Sequence, residues 1–308
     1  MTQKSFSGAF TALVTPMKEN GDVDYDGFRR LIAFQIEQGI DGLVPLGTTG
    51  ETPTLDEEEE EKLIRIAVEE TGGRVPLVIG AGSNSTRHMA AYVKRAKDLG
   101  ADAALVVTPY YNKPNDSGII KHFEKAAAEG LPVIIYNIAS RTGRNIPTPL
   151  MEELARIPGI VGVKEASGDI NQMGDVIAKI AGPRKGTDSP FWVLSGDDSM
   201  TLPLAALGGD GVISVISNLL PKKVRELTRA CLDGRYDEAR RIHYELLPFM
   251  KNAFIETNPV PVKTAMGWAG LPSGPLRLPL GPLSPANARI LRECLVDMGA
   301  LKAGNTTP

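Results

Sequence analysis

The sequence predicts an α/β protein, a (β/α)8 TIM barrel with a C-terminal helical extension. Three observations support this fold class. Eight short apolar runs alternate with longer helical patterns along most of the 308 residues. The runs are almost continuously apolar, as expected for parallel strands that are covered on both faces. After residue 221 the apolar runs stop, and only helical patterns follow.

The predicted strands are short, and most of them end in small or polar residues. They span 11–15, 42–47, 76–80, 103–108, 132–136, 160–164, 191–195 and 211–214. An open doubly wound sheet is the alternative, but that fold usually has a glycine-rich phosphate turn after its first strand. The first predicted strand ends in Val14-Thr15-Pro16 instead. The later Gly47-Thr48-Thr49-Gly50 lacks the Lys-Ser/Thr of a phosphate-binding loop, so the barrel is favoured.

Helical patterns separate the strands, and several have recognisable ends. They span 25–38, 56–70, 85–99, 117–129, 148–156, 170–181 and 199–207. Ser85-Thr86 supplies a start for the third helix, and Thr148-Pro149 places a cap and a proline in the first turn of the fifth. The acidic run 56–61 is interpreted as the solvated first turns of a helix. Glycines of the helix-stopping kind follow four of the patterns, at Gly39, Gly100, Gly130 and Gly208.

We divide the chain into a catalytic barrel, 1–221, and a helical extension packed on it, 222–308. The extension is predicted to contain helices at 222–233, 236–254, 261–268 and 285–298.

Composition narrows the class of protein. The net charge is −3 and no basic cluster appears, so nucleic acid is not an expected partner. No apolar stretch is long enough to span a bilayer, and the N-terminus lacks a signal-peptide apolar region, so a cytoplasmic protein is expected.

The histidines His88, His122 and His243 lack metal-ligand spacing, which predicts an enzyme without a transition metal. Cys231 and Cys294 are predicted to be buried small residues, although the alternative of a disulfide between them stays open.

Lys164 is the most informative single residue. It ends the apolar run 160–163, so its amine can lie inside the fold. Burial disfavours the ammonium form and lowers the pKa. A neutral amine attacks a carbonyl and forms a Schiff base. For one lysine taken alone, a solvated strand end is the more common outcome.

The residues at the other strand ends favour a buried, reactive Lys164 over a solvated one, because the catalytic groups of such barrels lie at the carboxyl ends of the strands. Thr48-Thr49, Tyr110-Tyr111 and Tyr136 offer hydroxyls that relay protons without adding charge. Arg141 follows the fifth strand and can clamp a carboxylate. Each of these residues also has a structural alternative: a helix cap, a loop anchor, a barrel-layer aromatic or a surface charge. Together with Lys164 they favour a Schiff-base enzyme.

Six motifs occur in the order of a known family. They are Gly47-Thr48-Thr49-Gly50-Glu51, Val107-Thr108-Pro109-Tyr110-Tyr111-Asn112, Tyr136-Asn137, Gly162-Val163-Lys164-Glu165-Ala166-Ser167-Gly168, Leu194-Ser195-Gly196-Asp197-Asp198 and Gly211-Val212-Ile213-Ser214-Val215. They resemble the pyruvate-dependent class I lyases typified by dihydrodipicolinate synthase and N-acetylneuraminate lyase. The resemblance runs over about 8–301. It is stronger to the synthases, through Thr48-Thr49, the loop 110–114, Ser140-Arg141-Thr142-Gly143 and the segment 258–263.

The resemblance implies roles for the catalytic residues. Lys164 would form a Schiff base with pyruvate, and Thr48 and Thr49 would bind its carboxylate. Tyr136 would be the general acid and base. Thr49 and Tyr111 would complete a proton relay, with Tyr111 reaching into the site of a neighbouring subunit.

The resemblance also implies the second substrate and the assembly. Arg141 would hold the carboxylate of L-aspartate 4-semialdehyde, and Gly196 and Ile213 would shape the pocket with backbone groups. The reaction would be the first committed step of diaminopimelate and lysine biosynthesis. It would need no cofactor beyond the covalent Schiff base. A homotetramer, built as a dimer of dimers, is expected.

Regulation by L-lysine is expected to be weak or absent. In lysine-inhibited members of this family a second site lies at a dimer interface, and Asn84 and Tyr110 match it. Glu57 and Glu60 replace histidines of that site, whereas His88 replaces the glutamate that would hold the ammonium group.

Two other functions stay open at this point. The same imine chemistry cleaves N-acetylneuraminate or a 2-keto-3-deoxy sugar acid, but such enzymes bind a polyol, for which Arg141 is unsuited. A non-catalytic keto-acid sensor is the other, and a sensor has no use for the intact set of Lys164, Tyr136, Tyr111 and Thr49.

Overall fold

The computed structural model describes residues 4–302 and contains one eight-stranded parallel sheet that closes into a barrel. The strand order is β2-β1-β8-β7-β6-β5-β4-β3. The two ends of this order meet where Leu43 pairs with Leu77 in a parallel bridge. The Leu43 N–H also donates to the Pro76 carbonyl at 3.0 Å. The predicted (β/α)8 barrel is confirmed.

The strands agree with the predicted runs within a few residues at most ends. They are β1 Gly8–Ala12, β2 Gly42–Val44, β3 Val78–Gly80, β4 Ala103–Val107, β5 Val133–Asn137, β6 Ile160–Glu165, β7 Trp192–Ser195 and β8 Gly211–Ser214. Strand β1 lies three residues earlier than predicted, because its pairing with β8 begins at Gly8. Strand β2 stops before Pro45, which has no N–H to donate, and Leu46 follows with a left-handed φ of 57°.

Thirteen α-helices are found within residues 4–302. They are α1 Tyr25–Glu37, α2 Glu57–Thr71, α3 Thr86–Leu99, α4 Asp116–Ala128, α5 Ala139–Thr142, α6 Thr148–Leu154, α7 Ile170–Val176, α8 Gly182–Arg184, α9 Thr201–Ala206, α10 Pro221–Leu232, α11 Tyr236–Asn252, α12 Val260–Trp268 and α13 Pro285–Asp297. The predicted helix 170–181 begins as α7 and widens into a π-helical turn over Ile177–Ala181.

The predicted helix ends are mostly correct. Ser85 caps α3 and accepts the N–H of His88. The cap predicted at Thr148 is wrong by one residue, because Pro147 holds the extended cap position and Thr148 is already helical. The four predicted stop glycines all have positive φ: Gly39, Gly100, Gly130 and Gly208.

The acidic run at the start of α2 is less solvated than predicted. Asp56 and Glu59 form a reciprocal capping box, in which each side chain accepts the backbone N–H of the other. Glu60 is buried and its carboxylate pairs with Arg95. Glu59 also pairs with Arg277, far along the chain. Part of the run therefore joins α2 to α3 and to the C-terminal region.

Side chains of the barrel strands alternate between two apolar clusters. Val133 and Ile135 of β5 point outward into the cluster between the sheet and the helices. Ile134 and Tyr136 point inward into the cluster that fills the barrel. This alternation follows from the two-residue period of a strand. It brings the Tyr136 side chain into the barrel at the carboxyl end of β5.

The helix after β8 completes the outer ring of the barrel. Helix α10 packs against β1 and β8, as the eighth helix of such a barrel does. The predicted boundary at 221 assigned this helix to the extension. Helices α11, α12 and α13 then pack on one another and on the barrel. Cys231 and Cys294 are both free and buried.

Two features are absent from residues 4–302. No helix there is long and apolar enough to cross a membrane. No three His, Cys, Asp or Glu side chains there converge as a metal-binding group would.

Candidate active site

The predicted nucleophile lies inside the barrel beside a tyrosine. Lys164 is the penultimate residue of β6 and is 6% exposed. It is the register partner of Tyr136 on β5. Its Nζ lies 4.2 Å from the centre of the Tyr136 ring. The structure therefore brings together the two residues that the sequence predicts to carry the chemistry.

The environment of Lys164 favours a neutral amine. Burial lowers the pKa of Lys164 to about 7, the nearby charge of Asp198 opposes this shift, and Arg141 adds to it. Burial also raises the pKa of the Tyr136 hydroxyl to about 12. Near neutral pH the pocket therefore contains a partly unprotonated amine and a protonated phenol.

Asp198 is a buried carboxylate that the sequence analysis left without a role. Its oxygens accept the hydroxyl of Ser214 and the backbone N–H groups of Val215 and Ile216, the latter two at 2.9 and 3.2 Å. Burial nevertheless raises the pKa of Asp198 to about 6. These contacts join the end of β7 to the end of β8, and they place a negative charge near the Lys164 amine.

The glycine-flanked turn after β2 forms one wall of the pocket. Thr48–Gly50 is a single 3-10 turn preceded by Gly47 in an extended conformation. The first N–H groups of such a turn have no acceptor within it. Thr49 is buried, and its hydroxyl oxygen accepts a hydrogen bond from Asn258 Nδ2 at 2.9 Å. The turn can therefore offer backbone donors to a carboxylate.

Arg141 lines the same pocket. It belongs to the short helix α5, directly after β5. Its guanidinium donates to the backbone carbonyl of Asn258 at 3.1 Å. Asn258 therefore contacts both Thr49 and Arg141, and its own Oδ1 is buried with no hydrogen-bond partner among residues 4–302. Sequence reasoning gave Asn258 no role, because it lies beyond the last strand, where the strand-end rule does not apply.

Gly196 and Ile213 occupy different positions relative to the pocket. A Cβ atom at Gly196 would lie 2.7 Å from Ala166 Cβ and 3.2 Å from Lys164 Cε. Gly196 therefore leaves the space that the Lys164 side chain fills. Ile213 is buried on β8, and its side chain packs in the apolar cluster inside the barrel.

Tyr111 is not brought into the pocket by its own chain. Its side chain is 91% exposed, in the loop between β4 and α4. Its φ of 71° is left-handed, which is costly for a bulky residue. Tyr111 therefore does not line the pocket that contains Lys164.

Two adjoining cavities open at this end of the barrel. The smaller, about 50 Å³, is lined by Lys164, Tyr136, Thr49 and Gly196 among others. The larger, about 500 Å³, shares Thr48, Tyr136 and Arg141 with it. It extends to the residues that the sequence analysis connected with lysine regulation, of which it contains Glu60, Asn84, His88 and Tyr110.

A family model and the similar proteins of known function agree on one family for this chain. Residues 5–297 match the model of the dihydrodipicolinate synthetase family. A 4-hydroxy-tetrahydrodipicolinate synthase of Nitratidesulfovibrio vulgaris strain Miyazaki F is 50% identical over 296 residues, which cover 96% of this chain and 99% of that protein.

Solved structures agree in fold and length. Dihydrodipicolinate synthase from Aquifex aeolicus is 45% identical, with a TM-score of 0.91 and coverage of 97% of this chain and 100% of that one. The Thermotoga maritima dihydrodipicolinate synthase is 42% identical, with a TM-score of 0.92 and coverage of 96% and 99%. From this similarity over nearly the whole length, we conclude that the chain belongs to the dihydrodipicolinate synthetase family.

Proposed function

We propose that this pocket condenses pyruvate with L-aspartate 4-semialdehyde through a Schiff base on Lys164. The chain is a lyase-type enzyme with the function of a 4-hydroxy-tetrahydrodipicolinate synthase. This synthase catalyses the first committed step of diaminopimelate and lysine biosynthesis. One observation carries the residue-level proposal. A buried lysine of lowered pKa lies against Tyr136, in a pocket that is also lined by the Thr48-Thr49 turn and by Arg141.

The reaction begins at the Lys164 amine. In its neutral form it attacks the keto carbon of pyruvate, and the resulting carbinolamine loses water to give a protonated imine. The backbone N–H groups of Thr48 and Thr49 and the Thr49 hydroxyl hold the pyruvate carboxylate. Their place beside the cavity, next to Lys164, supports this role.

Tyr136 moves the protons of these steps. Its hydroxyl stays protonated near neutral pH because burial raises the pKa of the phenol to about 12. It can donate to the departing water, and it recovers a proton when the pyruvate methyl group is deprotonated to an enamine. We propose that Thr49 and Tyr111 connect it to solvent, with Tyr111 supplied by a neighbouring subunit. The exposure of Tyr111 in this chain supports that arrangement.

The second substrate enters on the side of Arg141. The guanidinium binds the semialdehyde carboxylate, while the enamine carbon attacks the aldehyde carbon to form the new carbon–carbon bond. The aldehyde oxygen takes up the proton held by Tyr136 and becomes a hydroxyl, and the enamine returns to the protonated imine. The amine of the semialdehyde then attacks the imine carbon and displaces Lys164, which leaves as the free amine. Backbone groups of Gly196 and Ile213 shape this space. The position of Arg141 at the edge of both cavities supports this assignment.

We propose that no cofactor is required and that the enzyme is a homotetramer built as a dimer of dimers. The protonated imine is itself the electron sink, so the carbanion needs no other stabilising group. A tetramer would bring the exposed Tyr111 loops of two chains to each other's pockets.

A substrate comparison on the purified protein tests the activity. Condensation of pyruvate with L-aspartate 4-semialdehyde is followed through the next reductase, beside pyruvate release from N-acetylneuraminate and 2-keto-3-deoxygluconate. We expect turnover only in the first assay. Turnover only in the other two would keep Lys164 and Tyr136 but overturn the second substrate.

The variant Arg141→Ala tests the residue assignment in the same assay. We expect kcat/KM for the semialdehyde to fall about a hundredfold or more, as for loss of a charged clamp in a buried site. Trapping of pyruvate on the protein with borohydride should change far less. An equal loss of both would contradict the role given to Arg141.

A further inference from the structure

A buried ion pair lies beneath the Thr48-Thr49 turn. Lys263 Nζ is 2.6 Å from Glu51 Oε1, and the two side chains are 1% and 0% exposed. Lys263 is on α12 of the extension, whereas Glu51 directly follows the turn. The ammonium group also donates to the carbonyls of Thr15 at 3.1 Å and Pro275 at 2.8 Å. All three of its donors are therefore used.

The pair fixes the end of the turn from several directions. Glu51 has a left-handed φ of 56°, a conformation that a residue with a side chain adopts at a cost. Its second carboxylate oxygen accepts the backbone N–H of Arg277 at 2.9 Å. Thr15, whose carbonyl binds Lys263, donates its hydroxyl to the Gly50 carbonyl at 2.7 Å. The last two residues of the segment, Gly50 and Glu51, are thus both held.

Neither partner lines the cavity that contains Lys164, whereas Thr48 and Thr49 do. The pair can therefore influence a bound keto acid only through the turn. A buried ion pair of this kind contributes little net stability, because desolvation offsets the attraction. Positioning of the turn is a function that such a pair can still supply.

The extension also holds the turn from the pocket side. Asn258 precedes α12 and donates to the Thr49 hydroxyl oxygen at 2.9 Å. Lys263, on the first turns of the same helix, holds Glu51 from below. Asn258 and Lys263, which lie close together in the extension, thus contact both ends of the short segment 49–51.

We propose that the Glu51–Lys263 pair is a positioning device that sets the Thr48 and Thr49 donors at the correct distance from Lys164. This inference rests on the proposed function, in which those donors bind the pyruvate carboxylate. Loss of the pair lets the turn relax and weakens pyruvate binding. Binding of the semialdehyde at Arg141, on another element, changes little.

The test uses the full-length enzyme and the double variant Glu51→Gln/Lys263→Met. Each single substitution leaves a buried charge uncompensated, whereas the double variant leaves none, so it is the one expected to fold. We expect the KM for pyruvate to rise about tenfold, because a misplacement of positioning groups by about 1 Å can cost up to about a hundredfold. The KM for the semialdehyde should stay within about twofold of the wild-type value, because Arg141 lies on another element.

Two further variants make the result specific. Asp41→Asn removes a partner of Arg229 at the opposite end of the barrel, so it should lower thermal stability without changing the KM for pyruvate. Lys263→Arg keeps the charge, but a planar guanidinium cannot reproduce the three contacts of the ammonium group. It should fold and raise the KM for pyruvate about threefold.

Borohydride trapping of pyruvate distinguishes a failure of the proposed function from a failure of the positioning role. Wild-type protein that traps no pyruvate on Lys164 would overturn the proposed function and the positioning role together. Wild-type trapping, combined with an unchanged pyruvate dependence in both the double variant and Lys263→Arg, would overturn the positioning role alone. So would a parallel change in both KM values and kcat, since that pattern indicates general loss of structure.

Discussion

Tyr136 and Lys164 are register partners on adjacent strands, and the Lys164 amine lies 4.2 Å from the centre of the Tyr136 ring. Parallel pairing places them at the same height in the barrel, and the inward alternation of β5 and β6 points both side chains toward the axis. The ring excludes water from one side of the amine. The same contact thus contributes to the burial that lowers the pKa of Lys164.

The pH dependence of imine formation should report this burial. Lys164 is protonated below its pKa of about 7 and neutral above it. The rate of borohydride trapping with pyruvate should therefore rise as the pH passes through 7 and then level off. An ordinary lysine, whose pKa is near 10.5, would give a rate that keeps rising up to that pH. Arg141 lowers this pKa, so the midpoint should move upward in Arg141→Ala. A midpoint above about 9 in the wild-type enzyme would contradict a buried amine.

Removal of the Tyr136 hydroxyl should slow proton transfer without unfolding the barrel. We expect Tyr136→Phe to lower kcat about a hundredfold to ten-thousandfold, the usual contribution of general acid–base catalysis. The melting temperature should change by only a few degrees. Tyr25→Phe is a matched control, because Lys62 Nζ lies 3.7 Å from the Tyr25 ring outside the barrel. Full activity in Tyr136→Phe would remove this tyrosine from the mechanism.

The exposed Tyr111 predicts complementation between subunits. Lys164→Ala and Tyr111→Phe should each be nearly inactive when prepared alone. If Tyr111 serves the neighbouring site, a hybrid of the two chains contains one site with Lys164 from one chain and Tyr111 from the other.

Mixing the two variants under conditions of subunit exchange should therefore restore activity, up to about half of the sites in each hybrid dimer. Activity is measured together with the oligomeric state by analytical ultracentrifugation. Hybrids that form without recovery would place the Tyr111 function within its own chain.

L-Lysine should inhibit this enzyme weakly or not at all. The Glu60 carboxylate already pairs with Arg95. His88 is exposed at the edge of the larger cavity, and its imidazole carries no negative charge that could bind an ammonium group. Isothermal titration and steady-state assays with L-lysine test this. We expect no inhibition below about 1 mM, and His88→Glu should strengthen whatever binding remains, because it adds a carboxylate beside the cavity. Inhibition by sub-millimolar lysine in the wild-type enzyme would contradict the prediction.

The sequence by itself determined the barrel and most of the site. The eight apolar runs, the stop glycines and the polar strand ends are local features, and the rule that catalytic groups lie at carboxyl ends of strands places Lys164, Tyr136 and Thr48-Thr49 together. Element ends were predicted less well. Strand β1 was displaced by three residues, because hydrogen bonding to β8 decides where a strand begins, and apolar character does not.

Only the tertiary structure decided the contacts that come from distant segments. Asn258 and Lys263 lie in the extension, yet they contact Thr49 and Glu51, roughly 210 residues earlier. Helix α10 joined the barrel because it packs on β1 and β8, and the charged run of α2 was partly buried by Arg95 and Arg277. The physical reason is that periodicity and turn chemistry act over a few residues. Burial, pKa and ion pairing depend on whatever the folded chain brings near, and a linear pattern does not contain that information.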